Sequence, residues 1–219
     1  MTTVVIVDHD PTWPDQFQRL AAELRHHLGE AAGRIDHIGS TAVPGLAAKD
    51  VIDLQVTVAS LAEADRLAPA FQRAGYLPSR YRHDHRPAGD ASDPGSWEKR
   101  LWQSPPGGRR VNVHVRVDGW PNQRYALLFR DYLRARPQAA AAYARLKRAL
   151  AERAGGDLGV YTELKDHACD LIVVAAEDWA AAGRPPPAAV GPGGPDDQWQ
   201  ATGPPRSSTS PSSDTNRHS

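Results

Sequence analysis

The chain has 219 residues, of which 40% are hydrophobic, and its 26 basic residues balance its 26 acidic residues. This length and composition suffice for one domain with a sizeable core. Because the net charge is zero, no general positive field draws the chain to nucleic acid or to an anionic membrane, and we expect neither as a partner.

The cell compartment is indicated by what the sequence does not contain. A single cysteine, Cys169, excludes an internal disulfide and fits a reducing compartment. The first residues lack the basic start and long apolar run of a signal peptide. No stretch approaches the roughly 18 apolar residues that a membrane span needs. We therefore expect a cytoplasmic protein without membrane contact.

The first predicted elements are a short strand at residues 4–7 and an amphipathic helix that ends at Gly29. Thr12 is the expected N-cap of this helix, and Pro14 lies in its first turn. Trp13 has two interpretations. It stacks on a base, or it packs at the helix entry, which is the interpretation that its position favours.

Residues 35–58 combine a strand, a Gly-Ser turn and a second strand. Gly39-Ser40 follows the strand at residues 35–38, and Lys49 precedes the alternating strand at residues 51–58. In the second strand the apolar side chains point one way, whereas Asp53 and Gln55 point the other. Small residues let backbone N–H groups approach phosphate oxygens, and a carboxylate on a strand is a rigid metal ligand or general base. This pattern therefore predicts a phosphate and metal site.

A polar loop is predicted after the next helix. Ser60 and Glu63 form a capping box for that helix, which ends at Gly75 and leads into a strand. Residues 79–96 are rich in turn formers and indicate a mobile loop. A metal site at residues 83–85 (His-Asp-His) is the alternative, but adjacent residues rarely converge on one ion. A solvated loop is favoured.

A hairpin is predicted from residues 97–103 and 110–118, which flank the turn Pro-Pro-Gly-Gly. The second strand alternates, so His114 lies on its polar face. His114 is either a site residue or a histidine hydrogen-bonded to a neighbouring loop, and both interpretations stay open.

Helices are predicted to close the domain, over residues 122–134, over residues 137–154, and from an N-cap at Thr162 onwards. Arg130, Lys147 and Lys165 reach a phosphate from this helical side, or they are solvated charges. From Gly183 the composition changes to eight Pro, five Gly and six Ser. Residues 1–182 are therefore the predicted domain, and residues 183–219 a disordered tail.

The motifs together resemble the GrpB family of the nucleotidyltransferase superfamily. The resemblance is carried by GSTAVPGLAAK followed by IDLQV, with DPTWPDQF before them and VNVHV and FRDYLR after them. It covers about residues 4–180 and implies an α/β (α+β) fold with a nucleotidyltransferase-like mixed sheet flanked by helices. One departure is Asp50, since the family usually has proline there. We expect this carboxylate to weaken phosphate binding by neutralising Lys49.

The resemblance also implies a site. Related transferases hold phosphates with Gly-Ser and bind two Mg²⁺ with three carboxylates, two of them two residues apart on one strand. Here Asp53 takes the first position and serves as metal ligand, Gln55 takes the second, and His114 the third. Asp53 and His114 are the expected catalytic residues. The expected phosphate- and nucleotide-binding residues are Gly39, Ser40, Thr41, Lys49, Gln55 and Arg130. Glutamine and histidine are poor magnesium ligands, which puts a two-magnesium reaction in doubt and leaves one Mg²⁺ as the expected cofactor.

Two kinds of function follow. The first is an enzyme that transfers a nucleotidyl group, or a domain that binds a nucleotide or phosphorylated small molecule. The second is a catalytically inactive accessory or interaction domain, like those that the family fuses to dephospho-CoA kinases. The chain has no G-x-x-x-x-G-K-[ST] loop, so we do not expect kinase activity.

Overall fold

The computed structural model describes residues 4–184. Within these residues six helices and five strands alternate irregularly along the chain. The helices are α1 (Trp13–Leu28), α2 (Leu61–Arg66), α3 (Ala68–Arg73), α4 (Pro121–Ala135), α5 (Pro137–Arg153) and α6 (Leu158–Ala181). The strands are β1 (Arg34–Ile38), β2 (Ile52–Val58), β3 (Leu77–Pro78), β4 (Arg100–Gln103) and β5 (Val111–Val117).

The five strands form one mixed sheet in the order β1-β2-β5-β4-β3. The central strands β2 and β5 are parallel, and every other pair is antiparallel. Parallel pairing requires a crossover, which α2, α3 and the β3–β4 segment supply. The predicted α+β fold with a mixed sheet flanked by helices is confirmed.

The two faces of the sheet differ in chemistry, as the alternation predicts. Ile52, Leu54 and Val56 are fully buried in a core that the sheet forms with α1, α2 and α3. Their neighbours Asp53 and Gln55 point to the other face, which α4 covers through contacts with β1 and β5. A second apolar cluster joins α4, α5 and α6. The polar face therefore lies between the sheet and the last three helices.

Local sequence signals are confirmed at several turns. Ser60 accepts a hydrogen bond from the Glu63 backbone N–H, and the Glu63 carboxylate returns one to the N–H of Ala59. The hairpin is present, since β4 and β5 pair antiparallel across the Pro-Pro-Gly-Gly turn. Trp13 is fully buried in the core, and its indole N–H donates to Asp50 at 2.9 Å. The packing interpretation of Trp13 is thus confirmed.

Three predicted elements are wrong. Residues 4–7 make a single bridge, Val7 to Ala48, and no strand. The predicted second helix is two helices, because Leu67 interrupts it ahead of the proline at position 69. The last helix starts at Leu158 with Asp157 as its N-cap, and the Thr162 hydroxyl donates to the Leu158 carbonyl inside it.

Two further expectations meet the limits of the structure. The domain boundary at residue 182 falls just after the end of α6, and the tail from residue 185 lies outside the described residues. None of the helices in residues 4–184 has the length and hydropathy that crossing a membrane requires.

We expect Leu54→Ala to lower the free energy of unfolding by about 2–5 kcal/mol, because it opens a cavity between β2 and the helices behind it. The matched control is Leu171→Ala on α6, where the side chain is 76% exposed and the expected change is within about 0.5 kcal/mol. Guanidinium chloride denaturation followed by tryptophan fluorescence measures both. Equal losses in the two variants would show that the β2 face is not the core.

Candidate functional site

The Gly-Ser turn packs directly on Asp53. Gly39 follows β1 with φ of 71°, a conformation that favours glycine, and Ile38 just before it pairs with Asp53 of β2. A Cβ at position 39 would lie 2.6 Å from Asp53 Oδ2, so no larger residue fits without movement. The sequence predicted that the small residues of this turn let the backbone approach a phosphate. In the structure, Gly39 lies against the Asp53 carboxylate.

Ser40 is the first residue of a short 3₁₀ turn, Ser40–Ala42. Its hydroxyl accepts a hydrogen bond from a lysine on one of the last three helices. Lys147 of α5 donates to Ser40 Oγ at 2.8 Å and to the Ala47 carbonyl at 2.5 Å. The ammonium also lies 4.7 Å from the ring centre of Tyr143. Burial lowers the pKa of Lys147 to about 7, so the group changes charge near neutral pH. Lys147 is therefore the cation nearest to the predicted phosphate position.

Lys49 and Lys165 add positive charge near this turn. Lys49 lies 5.3 Å from the centre of the Tyr161 ring, and burial lowers its pKa against the opposing effect of Asp53. Lys165 donates to Asp166 at 2.7 Å. Asp50 bonds to Trp13 and, at 2.6 Å, to Arg109. The expectation that Asp50 neutralises Lys49 is therefore wrong, since the carboxylate is held by other donors.

Asp53 and His114 lie close together on the polar face. The register pairs Asp53 with Asn112 and Gln55 with His114, which puts all four side chains on one side of the sheet. Asn112 donates to Asp53 Oδ1 at 2.9 Å, and His114 Nε2 lies 3.7 Å from the same oxygen. Burial raises the pKa of Asp53, but His114, Asn112 and Lys49 outweigh it and hold the pKa low. The carboxylate is ionised at pH 7.

The protonation state of His114 follows from its neighbours. Burial, with Lys99 and Arg116 adding to it, lowers the pKa of His114 to about 4. The ring is therefore neutral at pH 7. Lys99 and Arg116 both face Nδ1 at 3.2 Å, and both are donors only. Nδ1 is thus the acceptor, the ring proton is on Nε2, and His114 presents an N–H towards Asp53.

A buried group of charges supports this face. We call it the Asp84 network, and it consists of Asp84, Lys99, Arg116 and Asn122. Asp84 accepts from Arg116 Nε at 2.8 Å and NH2 at 2.9 Å, from Lys99 at 2.5 Å and from Asn122 at 3.2 Å. Lys99 and Arg116 are only 6% and 5% exposed. These cations hold the pKa of Asp84 far below its usual range, although burial opposes them.

The prediction of a solvated loop at residues 79–96 is therefore wrong at its centre. Asp84 bonds to Lys99 just before β4, to Arg116 of β5 and to Asn122 of α4, and His85 bonds to Asp170 of α6 at 2.8 Å. His83 forms a backbone bridge with Glu98. The three residues that the sequence offered as an alternative metal site, residues 83–85, thus interact with three different partners.

Gln55 is a structural member of the same face. It is fully buried, its Oε1 accepts from Arg116 at 2.7 Å, and its amide donates to the Gln123 carbonyl at 3.3 Å. Both polar ends of the side chain are therefore bonded within the protein. Its role in binding a nucleotide remains a prediction, and these bonds must break before Gln55 contacts a ligand.

The donor set does not fit a pair of magnesium ions. Two Mg²⁺ about 3.5–4 Å apart need several carboxylate oxygens. Within residues 4–184, the carboxylate that packs on the Gly39 turn is Asp53, and its neighbours Asn112 and His114 are neutral. Among residues 4–184, no three His, Cys, Asp or Glu side chains are grouped so that they could hold a metal ion. Asp53 alone fits one Mg²⁺ that takes its other ligands from phosphate and water.

Thr41 and Arg130 lie on another side of the turn. Thr41 Oγ1 bonds to His37 Nε2 at 3.0 Å, and Arg130 donates to the His37 carbonyl at 2.9 Å. The structure therefore brings together Gly39, Ser40, Asp53 and His114 with Lys147. It places Thr41 and Arg130 at the outer edge of β1.

The sequence did not indicate that Lys99 and Asp84 are buried together beside the site. An acidic residue in a polar loop and a lysine ahead of a short strand carry no local signal of burial. Arg116 shares the polar face of β5 with His114, but the partner of that arginine is 32 residues away in the chain.

A mixed sheet that holds a Gly-Ser turn against a strand carboxylate forms the core of this α+β domain. Comparison with known proteins agrees, because the GrpB protein family model matches residues 3–174. The chain belongs to the GrpB family.

Relatives extend this result. A crystal structure of GrpB from Enterococcus faecalis is 31% identical, with a TM-score of 0.67 over 80% of this chain and 99% of that one. A protein named dephospho-CoA kinase from Mycolicibacterium paratuberculosis is 43% identical over 81% of this chain and 47% of its own length. The UPF0157 protein BH1888 of Halalkalibacterium halodurans is 33% identical over 74% of this chain and 77% of its own length. The chain spans about half the length of the kinase-named relatives.

We expect Asp84→Asn to lower the free energy of unfolding by about 3–5 kcal/mol at pH 7, because it leaves two buried cations without their counter-charge. The folded-state pKa of Asp84 is depressed, so its contribution is complete above its unfolded value of about 3.9 and is lost as the pH falls below that. The difference between wild type and variant should therefore be constant from pH 7 to 5 and shrink below pH 4.

Urea denaturation at several pH values measures this difference. The control is Asp65→Asn, since Asp65 pairs with Arg100 on the surface, is 56% exposed, and should contribute less than about 1 kcal/mol. An Asp84→Asn variant as stable as this control at pH 7 would show that the loop is solvated after all.

Proposed function

We propose that the chain binds the phosphate groups of a nucleotide, or of another phosphorylated small molecule, at the Gly39–Ser40 turn. The observation that carries this proposal is the buried Lys147 ammonium, which, among the described residues, has only the Ser40 hydroxyl and the Ala47 carbonyl as hydrogen-bond acceptors. A buried cation satisfied only by neutral acceptors is costly, and an anion beside it offsets that cost. Phosphate matches this requirement.

The Ser40 hydroxyl has a defined part in this proposal. Since its oxygen accepts from Lys147, its proton is free to donate to a phosphate oxygen. Lys49 supplies a second positive charge close to Asp53. Both cations lie on the helical side of the turn, so a phosphate chain would extend from Ser40 towards α5 and α6.

Asp53 has the opposite effect on a phosphate. Its carboxylate is ionised at pH 7, and like charges repel unless a cation lies between them. One Mg²⁺ at Asp53 would supply that positive charge. In the finer proposal, nucleotidyl transfer, Asp53 takes the proton of the acceptor hydroxyl while the hydroxyl oxygen bonds to the α-phosphorus of a nucleoside triphosphate and pyrophosphate leaves. The Nε2–H of His114, 3.7 Å from Asp53 Oδ1, stabilises the charge of the carboxylate. The sequence-based role of His114 as a base is less favourable, because its free nitrogen Nδ1 already accepts two hydrogen bonds.

A second candidate is an accessory domain that contacts another protein domain. It is favoured by one observation on α6, where Leu171 is 76% exposed and Val174 is 64% exposed, three residues apart on one side of the helix. Large apolar side chains exposed together on a helix suit a docking partner. A docking partner to test is the half of the M. paratuberculosis relative that this chain does not match. Light scattering on the mixture would show a complex that Leu171→Lys abolishes, and no complex would exclude this candidate.

We expect Lys147→Met to weaken ATP binding by at least about tenfold, because it removes a charge-assisted hydrogen bond to phosphate. The matched control is Arg145→Met, an exposed cation two residues away on α5, and it should bind as wild type. Affinity of the wild type should fall as the pH rises through about 7, since deprotonation removes the Lys147 charge, and this dependence should be absent in Lys147→Met. Isothermal titration with ATP measures each value.

The magnesium dependence of ATP binding distinguishes the role of Asp53 from that of Ser40. We expect Mg²⁺ to strengthen ATP binding to the wild type and to have no effect on Asp53→Ala. Ser40→Ala should weaken binding with or without Mg²⁺. ATP binding that is indifferent to both Ser40→Ala and Lys147→Met would refute the proposed phosphate site.

A further inference from the structure

A cleft of about 310 Å³ lies at the outer edge of β1, between α1 and α4, and we call it the edge cleft. Its walls include His9, Asp36, His37, Thr41, Arg130 and Arg134. The edge cleft and the proposed phosphate site both include the 3₁₀ turn Ser40–Ala42, but each contains a different residue of that turn. Ser40 bonds to Lys147, whereas Thr41 bonds to His37 in the cleft wall. The volume is at the lower end of the range for small-molecule pockets, about 300–1,000 Å³.

The charges of the edge cleft favour an anion. Arg130 and Arg134 lie one turn apart on α4 and both line the cleft. Asp36 is the one carboxylate in its lining, 3.9 Å from Arg130, and burial lowers the pKa of His37 to about 4 so that this ring is neutral at pH 7. Arg130 is paired with Asp131 at 2.8 Å and Asp36 with Arg34 at 2.8 Å. Arg134 is therefore the cation of the lining that has no carboxylate partner within residues 4–184.

The arginines differ in how far the protein satisfies them. Arg130 is bonded to the His37 carbonyl and, at 2.8 Å, to Asp131. Arg134 donates through Nε to the Ala42 carbonyl at 2.8 Å, and its two terminal nitrogens have no hydrogen-bond partner within residues 4–184. A guanidinium held by Nε presents its terminal N–H pair in a fixed direction, which suits a carboxylate or a phosphate.

Two buried polar atoms in the cleft walls also lack partners. Asp36 Oδ2 and His9 Nδ1 are buried and make no hydrogen bond with any described residue. Asp36 Oδ1, by contrast, accepts from Arg34 at 2.8 Å. Buried polar atoms without partners are uncommon and costly in native proteins. A carboxylate oxygen needs a donor, so a ligand with an O–H or N–H group would satisfy Asp36 once a small rotation of this side chain turns Oδ2 into the cleft.

We propose that the edge cleft is a second ligand site, for a small organic anion that also carries a hydroxyl or amino group. Arg134 binds the carboxylate or phosphate of this ligand, and Asp36 accepts the hydrogen bond of its donor group. The site is separate from the phosphate site at Ser40 and does not depend on it.

Isothermal titration in the presence of a chelator tests this proposal with four probes: malate, succinate, glycerol 3-phosphate and inorganic phosphate. Malate differs from succinate by one hydroxyl, and glycerol 3-phosphate shows whether the anionic group is a phosphate monoester. Arg134→Gln should weaken the binding of the anion that the wild type prefers by at least about tenfold, as expected for one lost charge-assisted interaction. Arg145→Gln, an exposed arginine on α5, is the matched control and should have no effect.

The hydroxyl preference tests Asp36. The wild type should bind malate several-fold more tightly than succinate if the anion is a carboxylate, and Asp36→Asn should remove that difference. If the anion is a phosphate, Asp36→Asn should weaken glycerol 3-phosphate but leave inorganic phosphate unchanged. Lys147→Met tells the two sites apart, because it acts on the phosphate site alone. The proposal is overturned if no probe binds, if Arg134→Gln binds as wild type, or if Lys147→Met abolishes binding together with Arg134→Gln.

Discussion

The ion pairs of one buried carboxylate, Asp84, hold the polar face of this domain together. Lys99 and Arg116 are almost fully buried, and each would be too costly there without a counter-charge. Asp84 binds both, and Asn122 adds the start of α4. The loop at residues 79–96, the residue before β4, strand β5 and helix α4 thus meet at one carboxylate. The same cations face His114 and set which of its nitrogens carries the proton.

This arrangement decides what chemistry the face can support. Arg116 bonds to Gln55, so a guanidinium fills the space beside Gln55, which stands where the sequence resemblance predicts the second carboxylate of an active transferase. Two other carboxylates near this face, among the described residues, are paired with cations: Asp84 with Lys99 and Arg116, and Asp36 with Arg34. Asp53 has no such cation and has an N–H of His114 directed at it. Positive charge for a phosphate comes from Lys147 on the helical side. The face is thus suited to holding phosphate beside one carboxylate, with at most one metal ion between them.

Much of the fold could be predicted because its signals are local. The alternation of β2 and β5 predicts two faces, and Ser60 with Glu63 predicts a helix start, as observed. The capping residue of α6 was misassigned to Thr162, because a threonine inside a helix can bond to the preceding turn just as well as it can cap. Asp84 and the bond from Lys147 to Ser40 could not be predicted. They join residues 32 and 107 positions apart, and no periodicity reports such contacts.

The most direct test is the number of Mn²⁺ ions that the chain binds in the presence of a non-hydrolysable ATP analogue, counted by electron paramagnetic resonance. Mn²⁺ accepts the same oxygen ligands as Mg²⁺. Because Asp53 is the single available carboxylate, we predict that the wild type binds no more than one Mn²⁺ per chain. In Asp53→Ala we predict that the protein no longer contributes a ligand to any bound Mn²⁺. Two Mn²⁺ ions bound per chain to the wild type, with one or both lost in Asp53→Ala, would contradict this account.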